Sequence, residues 1–460
     1  MIISQLNKEI ILNNNILKKY NNLIDKINLF FKSNDDIHFF YAPGRVNMIG
    51  EHTDYNMGAV LPFATNKEIL IIAKKNSKKN FLIKNINPAY PDIIFDLNIS
   101  IDHKNFTSWD RYFYAGIYGI EKYAKEHELS LKYGFSGLVA ATLPEAAGLS
   151  SSSALVVLSA LTYSKLNNLD INKNELVKIC AEAEKDIIGT AGGYMDQTTS
   201  LLGKYGHFLK IEFNPFDIEP IPFDPSYKVI VINSKIKAQK GDSAKEEFNR
   251  RVFECKLSML FFNKYLNKNN IKMKFNFIGD IKEHKFPSNI NIDNLINDFL
   301  SSLNDGYFYN ELIQIFNKSQ IQELFEKTNL PPRDNILYKP KNRFLHVYYE
   351  INRVYEAKKA LTNGDYKLMG DLMNNSHYSM DKYYEISTPE LNKITDIARK
   401  KGALGSRLTG AGFGGSVIAL AENKNIENII DGINQEYFNN NNNDAIYITY
   451  PENGANEIFF

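Results

Sequence analysis

Residues 137–158 read GLVAATLPEAAGLSSSSALVVL, and the order of parts in this stretch decides the reading of the whole chain. A strand-like run, Gly137–Leu143, breaks at Pro144 into a loop of small residues. A helix with an Ala/Leu/Val face is predicted from Ser152 to Leu166. Small side chains let the backbone approach a ligand closely. The N–H groups that open a helix point outward, and the helix dipole favours negative charge there. The hydroxyls of Ser150 to Ser153 add hydrogen bonds or a magnesium contact. The segment is a phosphate cradle in kind, although no G-x-x-x-x-G-K-[ST] occurs anywhere in the chain. The plainer alternative is a helix N-cap supplied with more serines than it needs.

Upstream, Ala42–Asp54 reads APGRVNMIGEHTD after the strand-like run His38–Ala42. Pro43 and Gly44 predict a turn that sets Arg45 at a strand end, facing a cleft. Glu51, His52 and Asp54 follow within one short span. Such a group of donors and acceptors suits a polyhydroxylated ligand, whose hydroxyls each donate and accept. Downstream, Glu184 falls late in a helix predicted over Asn174–Ile187, and Asp196 follows the connection GTAGG. Two carboxylates beside a phosphate divide the work. One holds a metal ion, and the other receives or orients a hydroxyl proton. Near the chain end, TGAGFGG (409–415) satisfies G-x-G-x-x-G, but the strand-like SVIALA follows it where a dinucleotide site requires a helix. A strand–loop–strand crossing is the better reading.

At 460 residues the chain is long for one core, so two domains are expected, 1–225 and 226–460, divided in the proline-punctuated stretch 215–225. Fifty-four basic side chains balance fifty-three acidic ones, which gives no reason to expect nucleic acid. Two distant cysteines, Cys180 and Cys255, build neither a disulfide framework nor a zinc site. The opening MIISQLNKEIILNNN has no signal-peptide core, and no apolar run approaches a membrane span. A cytoplasmic monomer that binds small molecules is expected. An amphipathic helix is predicted within 5–32, and further helices over 109–126, 243–265, 344–362, 366–373 and 388–401. Short strands fall at 59–64, 69–73, 207–213, 228–233, 406–408, 416–421 and 445–450. The class is α+β, with 270–340 rich in Asn and Lys and poor in strands.

Taken in order, these stretches resemble the galactokinase family within the GHMP group of small-molecule kinases. APGRVNMIGEHTDYN looks like its sugar signature and PEAAGLSSSSA like its ATP motif. GGYMDQ looks like the catalytic segment, and LTGAGFGGS like the third motif; SHYSMDKYYEISTPEL (376–391) is a further similar segment. The resemblance implies a ribosomal-protein-S5-domain-2-like N-terminal domain and a ferredoxin-like C-terminal domain with the site between them. It implies Asp196 as catalytic base and Arg45 as the residue that stabilises the transition state. Glu51, His52, Thr53, Asp54, Gly193 and Phe248 would line the sugar pocket. Ala146, Ala147, Gly148, Leu149, Ser150, Ser151 and Ser152 would bind the ATP phosphates, with Ser152 and Glu184 as Mg²⁺ ligands. The activity implied is transfer from ATP to the anomeric hydroxyl of galactose. One departure is Phe248 in the run FNRRVFEC, where galactokinases usually carry a tyrosine. This resembles the N-acetylgalactosamine kinase branch and keeps that sugar as an alternative. A non-catalytic sugar sensor is a second alternative, which the intact Arg45, Ser152, Glu184 and Asp196 argue against.

Overall fold

Ile69, Ile71 and Ala73 join one hydrophobic core, whereas Leu70 and Ile72, which alternate with them, join another. Successive strand residues point to opposite faces, so a continuous apolar run is what a strand covered on both sides needs. This strand lies near the middle of the first sheet of the protein, seen in a computed structural model. The structure describes residues 17–20, 23–31, 36–97, 106, 109–144, 148–190, 192–236, 242–284, 286–441 and 444–459.

Along the chain, helix α1 (Leu23–Phe30) precedes strands β1 (Ile37–Asn47), β2 (Pro62–Asn76), β3 (Asn80–Asn85) and β4 (Ile93–Asp96). Helix α2 (Trp109–Glu126), strand β5 (Gly134–Ala141) and helices α3 (Ser151–Leu166), α4 (Lys173–Ile188) and α5 (Met195–Leu202) follow. Next come β6 (His207–Phe213), β7 (Phe216–Pro222), β8 (Tyr227–Asn233) and the long helix α6 (Asp242–Lys268). Four short helices occupy the next stretch: α7 (Asp280–Glu283), α8 (Ile292–Ser301), α9 (Tyr309–Ile315) and α10 (Lys318–Lys327). The chain ends with α11 (Pro340–Thr362), α12 (Tyr366–Ser379), α13 (Pro389–Lys400), β9 (Gly405–Thr409), β10 (Ser416–Glu422), α14 (Ile426–Glu436), β11 (Ile446–Thr449) and β12 (Asn456–Ile458).

The first sheet has the order β12-β1-β2-β5-β3-β4, antiparallel except for β3 beside β5. Helices α2, α3 and α4 cover one face and α1 packs on the other. Helix α3 is buried over most of its circumference, from Ser153 to Ser164 without a break. A helix that is apolar all round belongs in a core, and its buried position fixes the loop at its N-terminus. The second sheet has the antiparallel order β11-β8-β10-β9. With helices between β8 and β9 and between β10 and β11, this is the β-α-β-β-α-β arrangement of a ferredoxin-like unit. Val229 and Val231 of β8 face the first core, and Ile230 and Ile232 face the second. The sheet is therefore a wall between the two.

The structure refines three of these readings. The proline-punctuated 215–225 contains strand β7, paired with β6. Pro220 is tolerated because β7 is an edge strand of a two-stranded sheet, where a missing N–H breaks no second ladder. The separate runs 59–64 and 69–73 are joined by β2, which runs unbroken from Pro62 to Asn76. The stretch 270–340 carries α7 to α10, and Leu295, Ile296, Phe299, Ile321 and Phe325 bury into the second core. The terminal strand β12 returns to pair with β1. Among the described residues no helix is long and apolar enough to cross a membrane.

Candidate active site

Strand β1 passes through the expected turn at Pro43–Gly44 without breaking. Pro43 pairs with Glu68 of β2, but Arg45 pairs with Ala64, so the register slips at Gly44. Such an irregularity re-aims a side chain while the strand continues. Gly44 is required for a second reason. A Cβ there would stand 2.5 Å from Leu143 Cδ1 and 2.6 Å from the Leu149 carbonyl oxygen. Its absence lets the loop before α3 lie on the strand, where the Arg45 amide donates to the Leu149 carbonyl at 3.1 Å.

Arg45, 5% exposed, donates from Nε to Asp196 Oδ1 at 2.7 Å and from Nη1 to the Gly148 carbonyl at 2.6 Å. Ser150 donates its hydroxyl to Asp196 Oδ2 at 2.5 Å. Ser150 has a left-handed backbone (φ +55°) and makes no side-chain cap on α3, so the N-cap alternative does not describe this hydroxyl. Asp196 lies in the first turn of α5, and its side chain stays 27% exposed. The candidate base and cation are thus joined across the serine loop.

Glu184 Oε2 accepts from the hydroxyl of Ser153 at 2.9 Å and from Gln197 Nε2 at 2.8 Å. Sequence reasoning singled out Ser153 among the loop hydroxyls but missed Gln197. Gln197 had a signal, since it follows Asp196 directly. Burial, with repulsion from Asp196 adding to it, pushes the Glu184 carboxyl up to about 7. Ser151 and Ser152 form the first turn of α3, partly exposed. Ala146 and Ala147 lie outside the described residues.

Asp54 begins a short 3-10 turn after His52, whose φ is +63°. Burial first, and then the Asp196 carboxylate, raise Asp54 to about 7. Gly193 abuts it, since a Cβ there would fall 2.4 Å from Asp54 Oδ2. Thr53 directs its hydroxyl to the Gly50 and Ala59 carbonyls at 2.9 and 2.8 Å, and so ties the loop together. Glu51 is 2% exposed and occupied on both oxygens. Asn47 Nδ2 donates to Oε2 at 2.7 Å, the Gly410 amide to Oε1 at 2.8 Å, and Arg407 Nη2 lies 3.3 Å from Oε1. Here Glu51 is a strut to the second sheet. His52 meets Tyr55, Tyr384 and the tilted ring of Phe248, whose centroid is 5.6 Å away. Neither tyrosine was singled out in the sequence.

The glycine cluster 410–415 joins β9 to β10, the strand–loop–strand crossing expected. Gly410 (φ +88°) stands so close to the serine loop that a Cβ would come within 2.8 Å of the Gly148 carbonyl oxygen. The structure therefore brings together Arg45, Asp54, Gly148, Ser150, Glu184, Gly193 and Asp196, with the glycine loop of the second sheet packed against them. It can hold a phosphate chain at the α3 N-terminus beside a carboxylate that reaches a hydroxyl.

Fold and site define a small-molecule kinase of the GHMP class. Family descriptions match in chain order: the galactokinase galactose-binding signature over 28–75, the GHMP kinases N terminal domain over 112–204 and the GHMP kinases C terminal region over 357–440. A galactokinase of Dictyostelium discoideum is 33% identical, with 92% of this chain and 88% of that protein covered. One of Saccharomyces cerevisiae is 31% identical, covering 86% and 85%. Among solved structures, Lactococcus lactis galactokinase complexed with galactose gives a TM-score of 0.73 at 26% identity, over 95% of this chain and 99% of that one. Methanococcus jannaschii mevalonate kinase, at 17% identity and a TM-score of 0.54, shares the fold. The chain belongs to the galactokinase family of sugar kinases. These relatives do not favour the N-acetylgalactosamine alternative.

Proposed function

We propose that the protein transfers the terminal phosphoryl group of ATP to the anomeric hydroxyl of D-galactose, giving galactose 1-phosphate and ADP. The observation that carries this reading is the Asp196 carboxylate held between Arg45 and Ser150, at the end of the serine loop. Asp196 receives or orients the hydroxyl proton. Arg45 offsets charge developing on the transferred group. Asp54, His52, Gly193 and Phe248 face the sugar, and Gly148 to Ser152 face the phosphates.

Ser152 and Glu184 would hold Mg²⁺, with Ser153 and Gln197 orienting Glu184. The donor set fits: hard oxygens, and a buried carboxyl raised to about 7 whose charge a cation would restore. When bound, the ion supplies charge compensation for the phosphates. The natural setting we infer is a cytoplasmic monomer, its domains dividing near residue 225 with β12 returning to the first.

The test is an ADP-release assay with ATP and Mg²⁺ over galactose, N-acetylgalactosamine and glucose. Galactose is expected to give the highest kcat/KM. A higher value for N-acetylgalactosamine would overturn the substrate assignment, and no ADP with any sugar would make the protein a sensor.

A further inference from the structure

Behind the hexose loop, side chains without a part in phosphoryl transfer form one unbroken hydrogen-bonded line. Cys255 Sγ lies 3.2 Å from Tyr384 Oη, which is 2.6 Å from Tyr55 Oη, which is 2.8 Å from His52 Nδ1. All four residues are buried. On its other side, His52 Nε2 is 3.3 Å from the Ala411 carbonyl oxygen. A carbonyl only accepts, so the proton sits on Nε2. Burial, with repulsion from His346 adding, lowers the ring to about 3 and keeps it neutral. A neutral ring protonated at Nε2 must accept at Nδ1. Tyr55 therefore donates to His52, Tyr384 to Tyr55 and the Cys255 thiol to Tyr384. Every hydrogen in the line points toward the sugar loop.

The far end of the line is anchored independently. Tyr384 ends a π-helical turn, Met380–Tyr384, followed by Glu385 at φ +57°. Arg251 donates to the Tyr384 carbonyl at 2.8 Å and the Glu385 carbonyl at 2.9 Å. Arg343 pairs with Glu254 at 2.6 Å and with the Glu385 carboxylate at 2.7 Å. A π turn inside a helical segment is costly unless something holds it, and these two arginines do.

We propose that Tyr55 and Tyr384 are positioning residues that fix the ring plane of His52, whose tautomer the Ala411 carbonyl sets, so that a tyrosine from the C-terminal half aims a sugar-pocket residue of the N-terminal half. This rests on the reading of His52 as a pocket residue. Phenylalanine keeps the ring volume at both positions and removes only the hydroxyl. Tyr55→Phe is expected to raise the galactose KM about tenfold and Tyr384→Phe about threefold, with kcat and the ATP KM within about twofold. In a His52→Asn background neither substitution adds to the effect, because both act through the same ring. Independently, ¹⁵N NMR is expected to find the His52 proton on Nε2 in both proteins, with the Nδ1 resonance moved in Tyr55→Phe toward that of a ring nitrogen that accepts no hydrogen bond. Additive effects on His52→Asn, or an unmoved Nδ1 resonance in Tyr55→Phe, would overturn the proposal. A galactose KM indifferent to His52→Asn, with the Nδ1 resonance still moved by Tyr55→Phe, would remove His52 from the pocket and leave the positioning role standing.

Discussion

Arg45 spans two acceptors with one planar guanidinium, Asp196 on one side and the Gly148 carbonyl on the other. A lysine ammonium is a point charge and cannot reproduce that fork. Arg45→Lys, like Arg45→Ala and Asp196→Ala, is therefore expected to lower kcat by at least about 100-fold with an unchanged circular dichroism spectrum. Wild-type turnover in any of the three would contradict the assignment. Asp54 yields a prediction with a pH signature. Its carboxyl rises from an ordinary 3.8 to about 7 on folding. The folded state thus keeps a proton that the unfolded chain has already released, and it loses stability as pH rises across that interval. Asp54→Asn, which has no proton to lose, is expected to be more stable than wild type at pH 8 by on the order of 2 kcal/mol, and to lose that advantage near pH 4. Urea unfolding at both pH values checks this, and an equal difference at both would refute it. The residue types at this site were legible because glycine, serine and carboxylate chemistry is local. The engagement of Glu51 was not legible, since its partners Gly410 and Arg407 lie at the far end of the chain.

Among elements, the slip in β1 matters most to the site. Gly44→Ala would drive a methyl group into Leu143 and the Leu149 carbonyl and push the serine loop off the strand. The expected result is a destabilisation of about 2 kcal/mol and an ATP KM raised well above that of galactose. A variant with both KM values unchanged would show that the loop does not depend on this contact. Most long elements could be read from periodicity alone, α2 from Trp109 to Glu126 and β6 from His207 to Phe213 among them. The glycine cluster was read as a crossing because a strand pattern follows it, and β9–β10 is that crossing. What escaped has physical reasons. β7 hides behind prolines that only an edge strand accepts, and β12 spans three residues, too few to show a period. Helices α8 to α10 are short, and Asn and Lys dilute their apolar faces.

For the molecule as a whole, the sheet between the two cores carries the buried Arg407 to the Glu51 loop of the other half. Arg407 is fully buried; it lies 3.3 Å from Glu51, 3.5 Å from the Asn47 carbonyl and near Glu350, whose carboxyl would rise on burial but is held down to about 2 by Arg353, His346 and Arg407. Removing one member of such a set strands the others in a dry interior. Arg407→Met is expected to cost about 3 kcal/mol or more in urea unfolding, part of which returns in Arg407→Met/Glu51→Gln. A single variant as stable as wild type would show that the halves are not tied there. The central claim, however, is chemical: one cleft, assembled from distant segments, moves a phosphoryl group onto the anomeric oxygen of galactose under the control of Asp196. ³¹P and ¹H NMR of the product from galactose, ATP and Mg²⁺, run side by side for wild type and Asp196→Asn, test it most directly. The account predicts galactose 1-phosphate from the wild type and none at equal time from the variant. Phosphate on any other hydroxyl, or the same product at the same rate from Asp196→Asn, would contradict it.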